Sequence, residues 1–256
     1  MSELLDLLGA RSGVVCAVGA GGKKTTLYHL ATLHPGRVGL TSTVPMTHFP
    51  SWLGAHEIVA GPGEIIDAVA EAAAQHRLVA FTHPDAKKAR YGGLEARLIS
   101  EIRRAANFDL LLVKADGARM RWIKAPEDDE PLIPEGTTTV VPVVSAKAIG
   151  RPLSEEVAHR PQRIEAVAGP SLGAPIEPQH VARLLASENG ALKDVGDARV
   201  VPVINMVDDD DLEHRAVHAA RLALDLTDRF DHIVLTSARQ PNRLVRVLTH
   251  QDRSRS

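Results

Sequence analysis

The hydrophobic positions along the chain follow two alternating patterns. Short, nearly continuous apolar and β-branched runs predict buried strands, and runs with apolar residues three or four positions apart predict amphipathic helices. The predicted strands are residues 13–18, 37–41, 56–60, 77–82, 109–115, 138–144, 199–205 and 231–237. The clearest predicted helices are residues 63–76 and 93–108, with a short one at the start of the chain. This alternation favours an α/β fold with a doubly wound, mostly parallel sheet.

Residues 145–198 depart from this alternation. They are rich in proline and glycine and predict only short helices, at 155–160 and 178–188. We interpret them as an insertion or cap on a single α/β domain that covers residues 1–250. The tail, 251–256, is predicted to be disordered.

Composition narrows the class of protein. The 256 residues are 44% hydrophobic and 24% charged, which is typical of a folded protein. The net charge of −2 and the aromatic content of 3% give no basis for a nucleic-acid or membrane-surface partner. One cysteine, Cys16, excludes a cysteine-rich metal site. No apolar run approaches the roughly 20 residues that span a bilayer, so a cytoplasmic protein is predicted.

A glycine-rich segment follows the first predicted strand and opens a helix. It consists of Gly19, Ala20, Gly21, Gly22, Lys23, Lys24, Thr25 and Thr26. Glycines allow backbone N–H groups to surround an anion, and the helix N-terminus adds a positive dipole end. Lys24 with Thr25 matches the lysine and Mg²⁺-binding hydroxyl of a phosphate loop, although Lys23 stands where the usual pattern has glycine. The alternative is a glycine turn with solvated lysines.

Two further strand ends carry oxygen ligands suited to Mg²⁺. Thr41 and Thr43 follow the second strand, and Asp116 follows the strand at 109–115. A carboxylate at a strand end is the arrangement that holds Mg²⁺ in phosphoryl-transfer sites. Hydroxyls at such a place also cap turns, and Asp-Gly is an ordinary turn sequence. The next loop carries Arg119 and Lys124, which could neutralise a reacting phosphoryl group or simply be solvated.

The last two predicted strands end in a pair of motifs typical of base recognition. Asn205 and Asp208 follow one strand, and Ser237 and Ala238 follow the other. Guanine-specific NTPases have N-K-x-D and S-A-K in this order, and an aspartate there accepts hydrogen bonds from guanine. Met206 replaces the lysine in this chain, and acids at a helix start are favoured by the dipole alone.

The four sites occur in the chain order of a P-loop NTPase. We therefore predict a P-loop NTPase-like fold that binds ATP or GTP with Mg²⁺. Catalytic roles are assigned to Lys24, Asp116, Arg119 and Lys124, and metal-binding roles to Thr25, Thr41, Thr43 and Asp116.

The sequence resembles the YqeC family, whose members are described as selenium cofactor biosynthesis or accessory proteins of molybdenum hydroxylases. The resemblance rests on "VGAGGKKTT", "TST", "ADGARMRWIKAP" with "EPLIP", "IGRPL", "HRP", "VINMVD" and "LTSA". Family members often have a single lysine in the glycine loop, an acid at position 114 and a histidine at position 129.

The resemblance implies a nucleotide-dependent helper whose partners are a molybdenum hydroxylase or its cofactor-maturation proteins. It places phosphates on Gly19–Thr26, Mg²⁺ near Thr41, Thr43 and Asp116, and the reacting group near Arg119 and Lys124. His159 and Arg160 belong to the resemblance without an assigned role. Two alternatives stay open: a ligase-type phosphoryl or nucleotidyl transferase, and a scaffold that binds nucleotide or cofactor without hydrolysis.

Overall fold

The computed structural model describes residues 2–254 and has an α/β fold with a large, mixed, mostly parallel sheet. Each predicted strand region contains a strand. Most of these runs are almost fully buried, as apolar composition predicts, whereas the run at β4 is mostly exposed. The strands are β1 (Gly13–Gly19), β2 (Val38–Ser42), β3 (Met46–Thr47), β4 (His56–Val59), β5 (Leu78–Pro84), β6 (Arg90–Gly92), β7 (Leu110–Lys114), β8 (Ile123–Lys124), β9 (Thr139–Ser145), β10 (Ala158–His159), β11 (Arg199–Val200), β12 (Val203–Asn205), β13 (His232–Thr236) and β14 (Leu244–Thr249).

Seven α-helices lie between these strands in the described part of the chain. They are α1 (Glu3–Leu7), α2 (Lys23–Leu33), α3 (Ile65–Gln75), α4 (Ala96–Ala106), α5 (Pro161–Ala168), α6 (Pro178–Ala186) and α7 (Asp210–Leu226). Short 3-10 helices occupy Ser51–Leu53, Ala146–Ala148 and His250–Ser254. None of the helices within residues 2–254 combines the length and the apolar character that crossing a membrane requires.

The chain forms two compact units. The first contains the chain up to Ala17, Lys24–Gly117 and Leu132–Thr139, and the second contains Val18–Lys23, Ala118–Pro131 and the chain from Val140.

In the first unit, parallel strands lie in the order β1, β7, β2, β5. β4 pairs in parallel with β5, and β6 and β3 extend this side in antiparallel pairing. Every residue of β2 and β7 is buried, and α3 buries Ile65 and Val69. Because β2 and β7 are parallel neighbours, the loops that follow them begin at the same end of the two strands.

In the second unit, β12 pairs in parallel with β9 and with β13. β14 runs antiparallel to β13, and this strand is absent from the sequence-based prediction. A separate parallel pair joins β8 to β10 through Ile123–Ala158 and Lys124–His159. This pair fixes the loop before β8 beside the start of α5.

Two local predictions differ from the structure. The run 199–205 is interrupted between β11 and β12, because Pro202 has no N–H for a ladder hydrogen bond. The helix predicted at 155–160 is wrong: this stretch forms turns and β10. The helix begins instead at Pro161, a residue favoured in the first helical position, after Arg160 in the left-handed region.

Residues 145–198 lie in the second unit, and their role as an insertion or cap remains a prediction. The predicted helix at 178–188 is confirmed as α6. The predicted disordered tail, 251–256, begins within the 3-10 helix His250–Ser254, and its last two residues lie outside the described residues.

Candidate functional site

The loop between β1 and α2 is built around three glycines. Gly19, Gly21 and Gly22 have φ angles of +85°, +90° and +129°, which other residues rarely adopt. A β-carbon on Gly19 would lie 2.4 Å from the carbonyl oxygen of Val143, and one on Gly21 would lie 2.5 Å from the amide nitrogen of Ser145. Both the backbone angles and the close packing therefore require glycine in this loop.

Asn205 holds the glycine loop in place. Its side-chain Nδ2 donates to the carbonyl oxygen of Gly21 at 2.9 Å, and its Oδ1 accepts from Thr236 Oγ1 at 2.9 Å. Asn205 is 8% exposed. The sequence predicts Asn205 as a base-reading residue, whereas its amide in the structure joins the loop to the end of β13.

The two lysines of the loop segment take different directions. Lys23 is buried, and its Nζ donates a hydrogen bond to the carbonyl oxygen of Gly19. The Nζ of Lys24 donates to Thr47 Oγ1 at 2.6 Å, and burial lowers the pKa of Lys24. The sequence assigns the phosphate contact to Lys24, but the ammonium group that lies on the glycine loop belongs to Lys23.

Asp208 lies between three polar side chains of the second unit. Its Oδ1 accepts from Ser237 Oγ at 2.7 Å, and its Oδ2 lies 2.7 Å from Lys147 Nζ. Burial alone would raise the pKa of Asp208, but the hydrogen bonds from Lys147 and Ser237 and the charges of Lys147 and Arg239 outweigh it and lower the pKa. Asp208 is thus held as a carboxylate, and the exposed Ala238 follows Ser237.

The predicted magnesium ligands of the first unit lie at neighbouring strand ends. Thr41 Oγ1 donates to the carbonyl oxygen of Phe81 at 2.6 Å, and Thr43 Oγ1 lies 3.4 Å from that of Lys114. Asp116 is 2% exposed, two residues beyond β7. A hydroxyl that donates its proton keeps oxygen lone pairs for a metal, so these groups fit Mg²⁺ chemically.

Other predicted ligands of this unit lie in the first turn of α2, where Thr25 is exposed and Thr26 is buried. Within the described residues, no three His, Cys, Asp or Glu side chains are grouped as a metal site. The predicted magnesium ligands are one carboxylate and several hydroxyls, so they do not make up a group of that kind.

Glu130 is the centre of a partly buried charged cluster in the second unit, which we call the Glu130 cluster: Lys124, Glu127, Glu130, Arg160 and Arg163. Lys124 Nζ and Arg160 Nη1 each lie 2.6 Å from Glu130 Oε2, and the Lys124 side chain is 0% exposed. Arg160 and Arg163 also pair with Glu127. Lys124, predicted to face a reacting group, therefore forms a buried ion pair.

The Glu130 cluster shifts the pKa values of its own member Glu130 and of the adjacent His159. Burial alone would raise the pKa of Glu130, but hydrogen bonds and charges from Lys124 and Arg160 outweigh it and lower the pKa to about 2. Burial, followed by the positive charges of Arg160, Lys124 and Arg119, lowers the pKa of His159 to about 4. The carboxylate is therefore ionised and the imidazole neutral at neutral pH.

Three of these partners have no role in the sequence-based assignment: Lys147, Glu130 and Arg160. Lys147 follows the end of β9, and its place directly after a buried strand could have identified it. Glu130 and Arg160 stand in the motifs "EPLIP" and "HRP", but nothing in the sequence pairs them, because they are 30 residues apart.

The fold and site define an α/β protein with a glycine loop after its first strand and a set of buried polar networks. The chain belongs to the YqeC family, because the model for the YqeC protein matches residues 15–162, more than half of it. It is similar to the Uncharacterized protein YqeC of Escherichia coli (strain K12), with 27% identity over 203 residues that cover 76% of each chain. The resemblance seen in the sequence is thereby confirmed, and the matched span includes the glycine loop, Asp116, Glu130 and Arg160.

Proposed function

We propose that the protein is a Mg²⁺-dependent nucleotide-binding protein with NTPase activity that assists the maturation of molybdenum hydroxylases. The observation that carries the proposal is the glycine loop, which Asn205 anchors and onto which Lys23 folds. The pathway in this proposal comes from the family resemblance read in the sequence, and the chemistry is argued from the loop.

The loop has the physical properties of a phosphate site. The Ala20 N–H donates to the carbonyl oxygen of Val143, and the positive φ angles of Gly21 and Gly22 turn the backbone that follows, as an anion-binding loop requires. The N-terminus of α2 adds a positive dipole end, and its first turn contains no acidic residue to oppose an anion. We assign the phosphate-binding ammonium to Lys23 rather than Lys24, since Lys23 already lies on the loop.

Asp208 supports a preference for guanine. Its lowered pKa keeps it ionised, and a carboxylate accepts both the N1–H and the exocyclic amine of guanine, a pair that adenine does not offer. Ser237 and Lys147 hold its side chain in one orientation. In this proposal Asn205 positions the loop and Asp208 reads the base.

Bound Mg²⁺ would neutralise charge on the phosphoryl group, as in other NTP-hydrolysing proteins. Oxygen ligands from Thr25, Thr41, Thr43 and Asp116 fit such an ion. Arg119 keeps its proposed role of stabilising developing negative charge. Lys124 acts in this scheme as the partner of Glu130, not as a free cation.

The experiment is a thermal-shift panel of the full chain with ATP, GTP and their diphosphates, with and without Mg²⁺. A nucleotide at 100 times its dissociation constant stabilises the folded protein by about 2.7 kcal/mol. We expect the largest shift with GTP and Mg²⁺. No shift with any nucleotide at millimolar concentration would contradict the proposal.

Two neighbouring lysines provide a matched pair of variants. Lys23→Met keeps the apolar stem and removes the ammonium, so we expect nucleotide affinity to fall about ten-fold or more. Lys24→Met should have a smaller effect, because its ammonium lies on Thr47. The reverse order of effects would restore Lys24 as the phosphate contact.

Asn205→Ala tests the anchor of the loop. It removes two hydrogen bonds and leaves the Gly21 carbonyl oxygen and the Thr236 hydroxyl without their partner. We therefore expect a loss of about 2 kcal/mol in stability and weaker nucleotide binding. The control is Asn189→Ala, an exposed position of the same unit.

Release of phosphate from GTP, measured with and without a molybdenum hydroxylase, separates NTPase activity from binding alone.

A further inference from the structure

A small cavity lies beside the β8–β10 pair of the second unit. It has a volume of about 260 Å³ and is lined by Arg119, Arg121, Glu155, His159, Arg160 and Gln162, among others. We call it the arginine cavity. Three guanidinium groups and one carboxylate line it, so its wall carries an excess of positive charge.

Two of the three guanidinium groups form no salt bridge in the described part of the chain. Within residues 2–254, neither Arg119 nor Arg121 forms a salt bridge, although ion pairs hold Arg160 and Arg163. Arg160 is fixed by Glu130 through Nη1 and by Glu127 through Nε, at 2.6 and 3.1 Å. The cavity thus combines one anchored guanidinium with two that are available to a ligand.

The backbone around the cavity is held in place from several sides. The amide of Trp122 donates to the carbonyl oxygen of Val157 at 2.9 Å, directly before the β8–β10 pair. Arg119 and Arg160 have φ angles of +43° and +61°, in the left-handed region that costs about 1–2 kcal/mol for a residue with a side chain. Such conformations persist only where the surrounding structure imposes them.

His159 indicates the sign of the field inside the cavity. Burial and the nearby charges of Arg160, Lys124 and Arg119 lower the pKa of this imidazole to about 4, against an opposing effect of Glu130. The same field that disfavours a protonated histidine favours a bound anion. A neutral imidazole can also donate one N–H to an anion's oxygen.

We propose that the arginine cavity binds a phosphate-type oxyanion, either as the free ion or as the phosphoryl group of a small molecule. Planar guanidinium groups match the geometry of phosphate oxygens, and the N-terminus of α5 at Pro161 adds a favourable dipole. The volume is below the 300–1,000 Å³ that is usual for drug-sized ligands, so the ligand is small or only its charged group enters. This site is additional to the glycine loop, and Arg119 is the one residue to which both proposals give a role.

The test is isothermal titration calorimetry of the full chain with inorganic phosphate and with ribose 5-phosphate, at constant ionic strength in chloride. We expect Arg119→Gln and Arg121→Gln each to weaken phosphate binding roughly ten-fold or more. Both side chains line the cavity without a salt bridge among the described residues, so the variants should fold normally. Tighter binding of ribose 5-phosphate would identify a phosphoryl group as the ligand, and equal binding would identify the free ion.

The matched control is Arg199→Gln. Arg199 is exposed in β11, which lies beside the Val140 end of β9. The cavity side of the unit adjoins the opposite end of β9, where Ser145 donates to the carbonyl oxygen of Trp122. Phosphate affinity should stay within two-fold of the unaltered chain. An equal loss in this variant would mean that net charge, not the cavity, attracts the anion, and would overturn the proposal.

Lys23→Met separates this inference from the proposed function. Phosphate binding that survives Lys23→Met and is lost in Arg121→Gln belongs to the arginine cavity, because Arg121 has no role in the proposed nucleotide site. Binding with the opposite pattern belongs to the glycine loop and would overturn this inference, as would no binding of either probe at 10 mM, roughly the weak limit of a specific site.

A spectroscopic readout needs no substitution. The His159 ring, followed by NMR in labelled protein, should titrate at higher pH when phosphate is present, because a bound anion favours the protonated imidazole. An unchanged His159 titration at saturating phosphate would contradict the proposal.

Discussion

The glycine loop and the Glu130 cluster are two buried polar regions of the second unit that are stabilised in opposite ways. The loop is held by neutral hydrogen bonds: Asn205 joins Gly21 to Thr236. The cluster is held by full charges, with Lys124 and Arg160 on one oxygen of Glu130.

The difference shows how each region can offer a positive surface to a ligand. In the loop, the amide of Asn205 fixes the backbone at Gly21, directly before the N-terminus of α2. In the cluster, the carboxylates of Glu127 and Glu130 hold Arg160 at the wall of the arginine cavity, where Arg119 and Arg121 face the proposed anion. A neutral anchor is insensitive to pH, whereas a charged anchor depends on protonation and costs more to break.

The largest expected effect is that of Gly19→Ala in the loop. The substitution combines a φ of +85° with a contact of 2.4 Å to the Val143 carbonyl, so we expect a loss of about 3 kcal/mol in unfolding free energy. Gly173→Ala is the matched control, because Gly173 has a φ of +79° but no atom within 4 Å of its added β-carbon. Its loss should be about 1 kcal/mol.

Urea denaturation of both glycine variants measures the difference. Equal losses would show that the backbone angle alone matters and that close packing on Val143 does not.

A smaller effect is expected for Glu130→Gln in the charged cluster. The change leaves the buried ammonium of Lys124 opposite a neutral amide, and we expect a loss of about 2 kcal/mol. Glu188→Gln, at an exposed position of the same unit, should be neutral within about 0.5 kcal/mol. A neutral Glu130→Gln variant would mean that the ion pair contributes no more than a hydrogen bond.

The last expected effect leaves the stability at neutral pH unchanged and separates two windows at acid pH. His159 has a pKa of about 4 in the folded chain and an ordinary value of 6.5, so the unfolded chain binds more protons between them. Stability should fall as the pH drops from 6.5 to 4. Glu130, with a pKa of about 2 against 4.5, contributes stability that is lost only as the pH drops from 4.5 to 2.

Chemical denaturation at a series of pH values tests both windows. His159→Gln should reduce the acid sensitivity between pH 6.5 and 4.5, and Glu130→Gln should reduce it below 4.5. His214→Gln, at an exposed position in α7, is the control. If His159→Gln leaves the loss of stability between pH 6.5 and 4.5 unchanged, the pKa of His159 is not lowered by its surroundings.

Much of the fold could be predicted from the sequence, because apolar periodicity records burial directly. The runs that became β1, β7 and β13 are almost fully buried, as their composition indicates. The prediction failed where a single residue overrides the pattern, as Pro202 does between β11 and β12. β14 was missed because its residues are mostly only half buried beside β13.

The candidate site could be predicted by location more reliably than by role. The strand ends that carry Gly19, Asp116, Asn205 and Asp208 are where the sequence places them. The sequence could not show which of Lys23 and Lys24 lies on the glycine loop, because two adjacent lysines differ only in the direction their side chains take from the first turn of α2.

The sequence by itself determined the α/β class, the position of the glycine loop and membership of the YqeC family. These depend on local composition and order. Only the tertiary structure decided that Asn205 anchors Gly21 across 184 residues, that Lys147 pairs with Asp208, and that Glu130 holds both Lys124 and Arg160. The physical reason is that a polar side chain has many chemically equivalent partners along the chain, and folding brings only a few of them within hydrogen-bonding distance.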